Sequence, residues 1–245
     1  MQFFKSKKYI GCKVSKYIID EFIGEGRYGL CFAASALEGK KVIIKKFKPG
    51  IFKKNCEKNP FEAVILSQLE DLRIPKFLGV INENRFYGFV LDFKKGNTVK
   101  DMLFKYHYKF KSDEIYNIGI KLVSIISYLH KNGVVHRDIR ISNVILDKGN
   151  VNLIDFGLAR FADESIYPYN LDYSYFGDLL LYLLYSSFET DNYRRMIPWY
   201  EELPISPEQV ILLKRLLGIE MPYDSIDEIK IDFIDAFKPS NIYKL

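Results

Sequence analysis

Val134-Val135-His136-Arg137-Asp138-Ile139-Arg140-Ile141-Ser142-Asn143, followed by Leu153-Ile154-Asp155-Phe156-Gly157, decides how this chain is read. Both stretches set polar residues against short apolar runs. Between and around them, Val144 to Leu146 and Val151 to Ile154 read as two short β segments. Immediately upstream, Ile115, Ile118, Leu122, Ile125 and Leu129 recur at three and four, which predicts a long helix opened by Ser112-Asp113-Glu114 and ended by Gly133. Downstream, a buried helix is expected from Asp172 to Tyr185, and Ser206-Pro207-Glu208-Gln209 caps another running to Leu217.

Further upstream the pattern is β-rich. Tyr17 to Ile23, Leu30 to Ala36 and Lys41 to Phe47 read as three strands, and Leu78 to Ile81 and Phe86 to Phe93 as two more. One helix interrupts them, with Asn59 as N-cap, Pro60 at the first helical position and Glu62 in the first turn. Val64, Ile65 and Leu69 are its expected buried face. Strands first and helices after predict two lobes joined near residues 93–96.

Two features of the β-rich part carry chemistry. Ile23-Gly24-Glu25-Gly26-Arg27-Tyr28-Gly29-Leu30-Cys31 is a GxGxxG between two strands, where glycines let backbone N–H groups approach phosphates. A dinucleotide site needs a helix after that turn, and a strand follows here. Val42-Ile43-Ile44-Lys45 ends an apolar strand on a lysine, with Glu62 on the next helix as its candidate partner. Lys46 and Lys48 read as plain surface charges.

HRDxxxxN followed by DFG, behind a Gly-rich hairpin and a strand lysine, resembles the protein-kinase signature set. The resemblance covers roughly Tyr17 to Phe237. It implies an α+β, bilobal protein-kinase-like fold: a small β-rich N-lobe with one helix, and a mainly helical C-lobe. The implied segments are a basic N-terminal stretch (1–16), the N-lobe (17–93), a hinge (94–97), the C-lobe (98–240) and a tail (241–245). By the same resemblance Asp138 accepts or orients the proton of the attacking hydroxyl, and Arg140 neutralises charge on the moving phosphoryl group. Asn143 and Asp155 hold Mg²⁺, or Mn²⁺ in its place. Lys45 holds the α- and β-phosphates of ATP and Glu62 fixes the lysine. Gly24, Glu25, Gly26, Arg27, Tyr28 and Gly29 form the loop over the phosphates. The adenine is expected between the lobes, with Ile23, Cys31 and Ile43 as roof and Ile145 as floor. Leu91 resembles the gatekeeper, and Asp92 and Phe93 the hinge. His136, Phe156 and Leu66 resemble members of an internal apolar spine. Asp172 either braces the catalytic loop or caps its own helix. Arg137 resembles a residue that meets phosphate on the following segment, where Ser165, Tyr167, Tyr169 and Tyr173 lie.

The chain departs from that pattern between Gly157 and Asp172, which is short and has no Ala-Pro-Glu. Leu217 to Asp224 also lacks the arginine that pairs with that glutamate. A minimal Ser/Thr-type kinase acting on protein is the leading expectation. A small-molecule or glycolipid kinase on the same fold, and a nucleotide-binding scaffold, are the alternatives.

The bulk numbers fit a globular protein. The 245 residues are 48% hydrophobic and 27% charged, enough to bury a sizeable core. A net charge of +5 divides unevenly, with 14 basic against 5 acidic residues in the first 60. No nucleic-acid recognition motif accompanies that basic stretch, so sequence-specific binding is not expected. Cys12, Cys31 and Cys56 lack disulfide or zinc spacing, which suits a reducing, cytoplasmic setting. The longest apolar run, Leu179 to Tyr185, is far short of the ~20 residues of a membrane span.

Overall fold

The structure is a computed structural model that describes residues 8–26, 29–48, 61–83, 85–163, 165–189 and 197–239. Arg27, Tyr28, Cys56, Asn59 and Pro60 lie outside these residues. The chain divides into two compact units, Met1–Lys94 and Lys95–Leu245.

Among the described residues the first unit is a six-stranded antiparallel sheet with one helix. Its elements are β1 (Lys13–Val14), β2 (Tyr17–Glu25), β3 (Gly29–Ala36), β4 (Lys41–Phe47), α1 (Phe61–Gln68), β5 (Phe77–Glu83) and β6 (Phe86–Asp92). The strand order is β1-β2-β3-β4-β6-β5. Cross-strand partners share a face. Register therefore places Phe32, Ile44 and Val90 together, and the neighbouring positions Cys31, Lys45 and Phe89 on the other side. The first face carries the core of this unit, with Tyr17, Ile19, Phe32, Ala34, Val42, Ile44 and Val90 buried.

That register corrects two sequence expectations. Lys46 follows Val42 and Ile44 on the core face and is only 6% exposed. Its ammonium lies 5.4 Å from the Tyr9 ring centroid and 5.2 Å from that of Phe86. Aromatic faces, not solvent, meet this cation. Lys48 is no plain surface charge either: it pairs with Glu25 at 2.6 Å and donates to the Gly26 carbonyl at 3.0 Å. A third correction concerns α1. Val64 is 49% exposed, and Leu66 is buried beside Ile65 and Leu69 instead. With the helix beginning at Phe61, Glu62, Ile65, Leu66 and Leu69 form one stripe of spacing three, one and three, and Val64 falls outside it.

The second unit is mainly helical. It comprises β7 (Asn97–Thr98), α2 (Val99–Phe104), α3 (Ser112–Lys131), β8 (Val134–Val135), β9 (Val144–Asp147), β10 (Asn150–Leu153), β11 (Arg160–Phe161), α4 (Asn170–Tyr185), α5 (Trp199–Glu202), α6 (Pro207–Leu216) and α7 (Ile226–Phe237). The periodic apolar face of α3 is buried throughout. Glu114 accepts from the Lys111 amide at 2.9 Å, which starts the helix. Gly133, at φ 67°, follows its last turn and donates to the His130 carbonyl at 2.9 Å. Ser206 and Gln209 exchange hydrogen bonds at 3.1 and 3.2 Å to open α6, as the capping pattern predicted.

α3 packs against α4 and α7. Phe233 of α7 is fully buried, with Phe237 stacked on it at 4.8 Å and Phe176 of α4 at 5.8 Å. Two small sheets sit on this helical base. β10-β9-β7 forms one, and β8-β11 the other. They carry the polar stretches with which the sequence reading began.

Candidate active site

In the first unit, β3 and β4 position the strand lysine. Cys31 is the register partner of Lys45, and Ile43 that of Leu91. Cys31, Ile43, Lys45 and Leu91 therefore share the face opposite the core. Lys45 Nζ donates to Glu62 Oε1 at 2.6 Å. The Glu62 side chain is almost wholly buried, so the pair is screened little by water.

The Gly-rich hairpin joins β2 to β3, with the Gly26 amide donating to the Gly29 carbonyl at 2.9 Å. Its three glycines differ in what the chain asks of them. A Cβ on Gly29 would meet the Lys46 carbonyl oxygen at 2.2 Å, so packing against β4 demands glycine there. A Cβ on Gly24 or Gly26 would meet nothing within 4 Å, and neither has a positive φ. Among the described residues nothing requires glycine at those two positions. Glu25 is held by Lys48, as described above. Ile23 is exposed, Leu91 is buried, and Cys31 and Ile43 are half-buried. Asp92 takes the Lys76 amide on Oδ1 at 2.5 Å and pairs with Lys94 at 3.0 Å, while its own N–H donates to the Lys76 carbonyl. Phe93 lies under the Lys41 ammonium at 5.9 Å.

In the second unit, the loop between β8 and β9 carries His136, Asp138, Arg140 and Asn143. Asp138 is buried and its carboxylate has three side-chain donors. Arg140 forks onto it, with Nε 2.5 Å from Oδ1 and an N–H donating to Oδ2 at 2.8 Å. Asn143 Nδ2 donates to the same Oδ2 at 2.8 Å and to the Asp138 carbonyl at 2.9 Å. The carboxylate beside Arg140 raises the guanidinium pKa further above its ordinary value.

The loop's backbone is braced from α4. Asp172 is fully buried in the first turn of that helix. Its Oδ2 accepts from the His136 amide at 2.9 Å and its Oδ1 from the Arg137 amide at 2.7 Å. The bracing role offered by the sequence holds, and the N-cap alternative does not, since α4 begins at Asn170. His130 Nε2 lies 2.9 Å from the same Asp172 oxygen. The sequence reading missed His130. It lies one position past Leu129, at the C-terminal end of a buried helical face, which is the signal that marks it.

His136 is buried, and burial depresses its pKa against the opposing pull of Asp172, Asp155 and Asp138. Its contacts assign the tautomer. Nδ1 accepts the Asp138 amide at 3.2 Å, so Nε2 carries the hydrogen that donates to the Ile154 carbonyl at 3.2 Å. Phe156 packs edge-on against the His136 ring at 4.6 Å. Asp155, two residues past β10, holds a left-handed backbone at φ 64°, as does Arg137 at φ 65°. Non-glycine residues hold that conformation only where surrounding contacts over-determine it.

Asn143 and Asp155 are brought together by the backbone, because the Ile154 amide donates to the Asn143 carbonyl at 2.8 Å. With its nitrogen fixed on Asp138, Asn143 takes the Ser142 hydroxyl on its side-chain oxygen at 3.3 Å. Two oxygen donors suit Mg²⁺, which keeps several waters and takes its remaining ligands from phosphate. Among the described residues no group of three or more His, Cys, Asp or Glu forms an all-protein metal cage. Ile145, on β9, is buried near Gly96, whose φ of 127° and 2.3 Å Cβ approach to the Leu146 carbonyl admit no side chain.

Comparison with known proteins agrees with this architecture. A family model described as protein kinase domain matches residues 17–177. The chain is 33% identical over 233 residues to the probable serine/threonine-protein kinase YbdM of Bacillus subtilis (strain 168), covering 91% of this chain and 90% of that protein. It is 32% identical over 163 residues to a probable serine/threonine-protein kinase of Dictyostelium discoideum, covering 65% of this chain and 32% of that protein. It is also 29% identical over 145 residues to the serine/threonine-protein kinase STY46 of Arabidopsis thaliana, covering 58% of this chain and 25% of that protein. The chain belongs to the protein kinase family, with a β-rich unit followed by a mainly helical one. It is an ATP-dependent protein kinase. No described helix is long and apolar enough to cross a membrane.

Proposed function

We propose that the chain phosphorylates serine or threonine side chains of protein, with Asp138 receiving the proton of the acceptor hydroxyl. The observation that carries this reading is the Asp138 carboxylate. It is gathered with Arg140 and Asn143 on a loop whose amides are fixed by Asp172. A carboxylate held in one place orients a hydroxyl without a reorganisation cost at the moment of transfer.

Each residue then has a task. The backbone at Gly24 and Gly26, with no Cβ in the way, comes close to the phosphates of ATP, which accounts for glycine at these two positions. Arg27 and Tyr28 belong to the same loop. Lys45, held by Glu62, neutralises the α- and β-phosphates. Ile23, Cys31, Ile43, Leu91, Asp92, Phe93 and Ile145 receive the adenine. Asn143 and Asp155 ligate Mg²⁺, and Mn²⁺ suits the same oxygens. Bound there, the ion supplies positive charge against the phosphate oxygens. Arg140, beside Asp138, neutralises charge on the transferred group, and the Asp138 carboxylate receives the hydroxyl proton. The cytoplasm, where ATP is abundant and thiols stay reduced, suits the exposed, unbridged thiol of Cys12.

The test uses purified protein, radiolabelled Mg·ATP and a panel of protein and metabolite acceptors, with phosphoamino-acid analysis of any product. Phosphoserine or phosphothreonine is expected, and an Asp138→Asn change should abolish labelling while nucleotide affinity by calorimetry stays near wild type. Labelling that persists in Asp138→Asn removes Asp138 from its role. Labelling of tyrosine or of metabolites alone overturns the acceptor assignment.

A further inference from the structure

Between the 3₁₀ turn Phe156–Leu158 and α4, the chain follows a short path with its own fastening. β11 pairs with β8, matching Arg160 to Val135 and Phe161 to Val134. The Ala162 amide donates to the Gly133 carbonyl at 2.7 Å. Asp163 and Tyr167 then close a tight loop with two backbone hydrogen bonds, at 2.9 and 3.2 Å. Inside it Asp163 Oδ1 accepts from the Ser165 amide, the Ser165 hydroxyl and the Ile166 amide. Tyr169 donates to the His130 carbonyl at 3.1 Å and lies over the His130 ring at 4.4 Å. These contacts are neutral or local to the segment.

The loop is fastened so that the Tyr167 ring faces Arg137. The guanidinium carbon lies 4.5 Å from the ring centroid. One N–H of the same group donates to the Leu158 carbonyl at 3.1 Å. Among the described residues no carboxylate forms an ion pair with Arg137; the ring face and one carbonyl meet its charge. Arg137 is also the residue before Asp138, holds a left-handed backbone, and gives its amide to Asp172. A guanidinium that swung away would pull on the peptide unit from which the Asp138 carboxylate projects.

We infer that Tyr167 is a positioning residue for phosphoryl transfer: its ring, seated on the Arg137 guanidinium, holds the Asp138 loop in its working arrangement with the segment unmodified. The inference rests on the kinase reading above and adds that the contact needs the aromatic face, not the hydroxyl and not a phosphate. Because the residue acts through Arg137, its loss weakens the transfer step and spares nucleotide binding.

The experiment compares wild type, Tyr167→Phe and Tyr167→Ala as full chains. Tyr167→Ala should lower kcat about tenfold, within the range of a half-buried cation–π contact, with ATP affinity by calorimetry unchanged. Tyr167→Phe should keep wild-type kcat. Phosphatase-treated wild type, checked by intact mass, should keep its activity. Hydrogen exchange at residues 136–140 should quicken in Tyr167→Ala and not in Tyr167→Phe, with α3 unaffected in both. Equal loss in Phe and Ala, full activity in Ala, or loss on phosphatase treatment each overturns the inference. If wild type phosphorylates no protein at all, the kinase reading fails, and the exchange comparison still decides whether Tyr167 holds the loop.

Discussion

Asp172 takes the amide hydrogen of Arg137 at 2.7 Å from within the first turn of α4, so one buried carboxylate fixes the backbone beside Asp138. Replacing it with alanine strips the His136 and Arg137 amides of their acceptor and leaves His130 without its carboxylate partner. Unsatisfied buried donors cost about 1–3 kcal/mol each. Asp172→Ala should therefore lower denaturant stability by several kcal/mol, while Asp172→Asn, which keeps one oxygen acceptor, should lose less. Urea titrations of the two variants check the order.

Lys45 and Glu62 are coupled at 2.6 Å, with the acid the more buried partner. Removing the lysine leaves a buried carboxylate without its cation, and breaking such a pair from one side costs about 3–5 kcal/mol at full burial. Lys45 is partly exposed, so Lys45→Met should fall below that range, with nucleotide affinity lost as well. Adding Glu62→Leu should recover stability but not affinity. A double-mutant cycle in denaturant, read beside calorimetric ATP titrations, separates the two losses.

His136 makes the fold acid-sensitive. Burial lowers its folded pKa below the ordinary histidine value of 6.5, so the folded state favours the neutral ring. The unfolded chain then binds more protons between the two values, and stability rises with pH across that window. The contribution is complete above pH 6.5 and is lost as pH falls toward the folded value. A proton on Nδ1 would also face the Asp138 amide, which now donates to that atom. Melting temperature should drop on acidification from pH 6.5, and His136→Phe should flatten that part of the profile. An unchanged slope in the variant would sink the assignment.

Gly119 lies where α3 meets Phe233, and an added Cβ would come within 2.2 Å of the ring's Cζ. In an exposed helix, alanine for glycine gains up to about 1 kcal/mol. Here the ring is fully buried in an aromatic stack, and overpacking of that kind costs about 1–3 kcal/mol. The clash outweighs propensity, so Gly119→Ala should destabilise. Phe233→Leu in the same chain should offset part of the loss. Denaturant midpoints of the single and double variants check both signs.

How far the sequence reaches can be judged at particular positions. α3 was readable because its apolar face repeats from Ile115 to Leu129, and α6 because Ser206, Pro207 and Gln209 mark its start. α7 was missed although Ser225 accepts from the Glu228 amide and Ile226, Ile229, Phe233 and Phe237 recur at three and four. That signal was present and unread. β7 and β11 are two residues each, too short for any periodicity, and exist only because β9 and β8 supply partners. Lys46 was misread because charge outweighed register. Counting by twos from Val42 and Ile44 puts it on the core face whatever its charge. Residue types at the candidate site were legible as a pattern. The His130 contact with Asp172 was not, since it joins segments far apart in the chain whose approach only the tertiary fold determines; the resemblance brings Arg137 to the segment holding Tyr167, but not the ring face to the guanidinium.

Lys46 carries a practical consequence. An amine enclosed by Tyr9 and Phe86 is shielded from acylating reagents that reach solvent-facing lysines such as Lys13 and Lys16. Its rate of covalent labelling, read by peptide mass against those two, therefore clocks the opening of the stretch around Tyr9 from the sheet. The chain thus carries an intrinsic chemical probe of local unfolding in its β-rich unit, one that needs no engineered cysteine or dye.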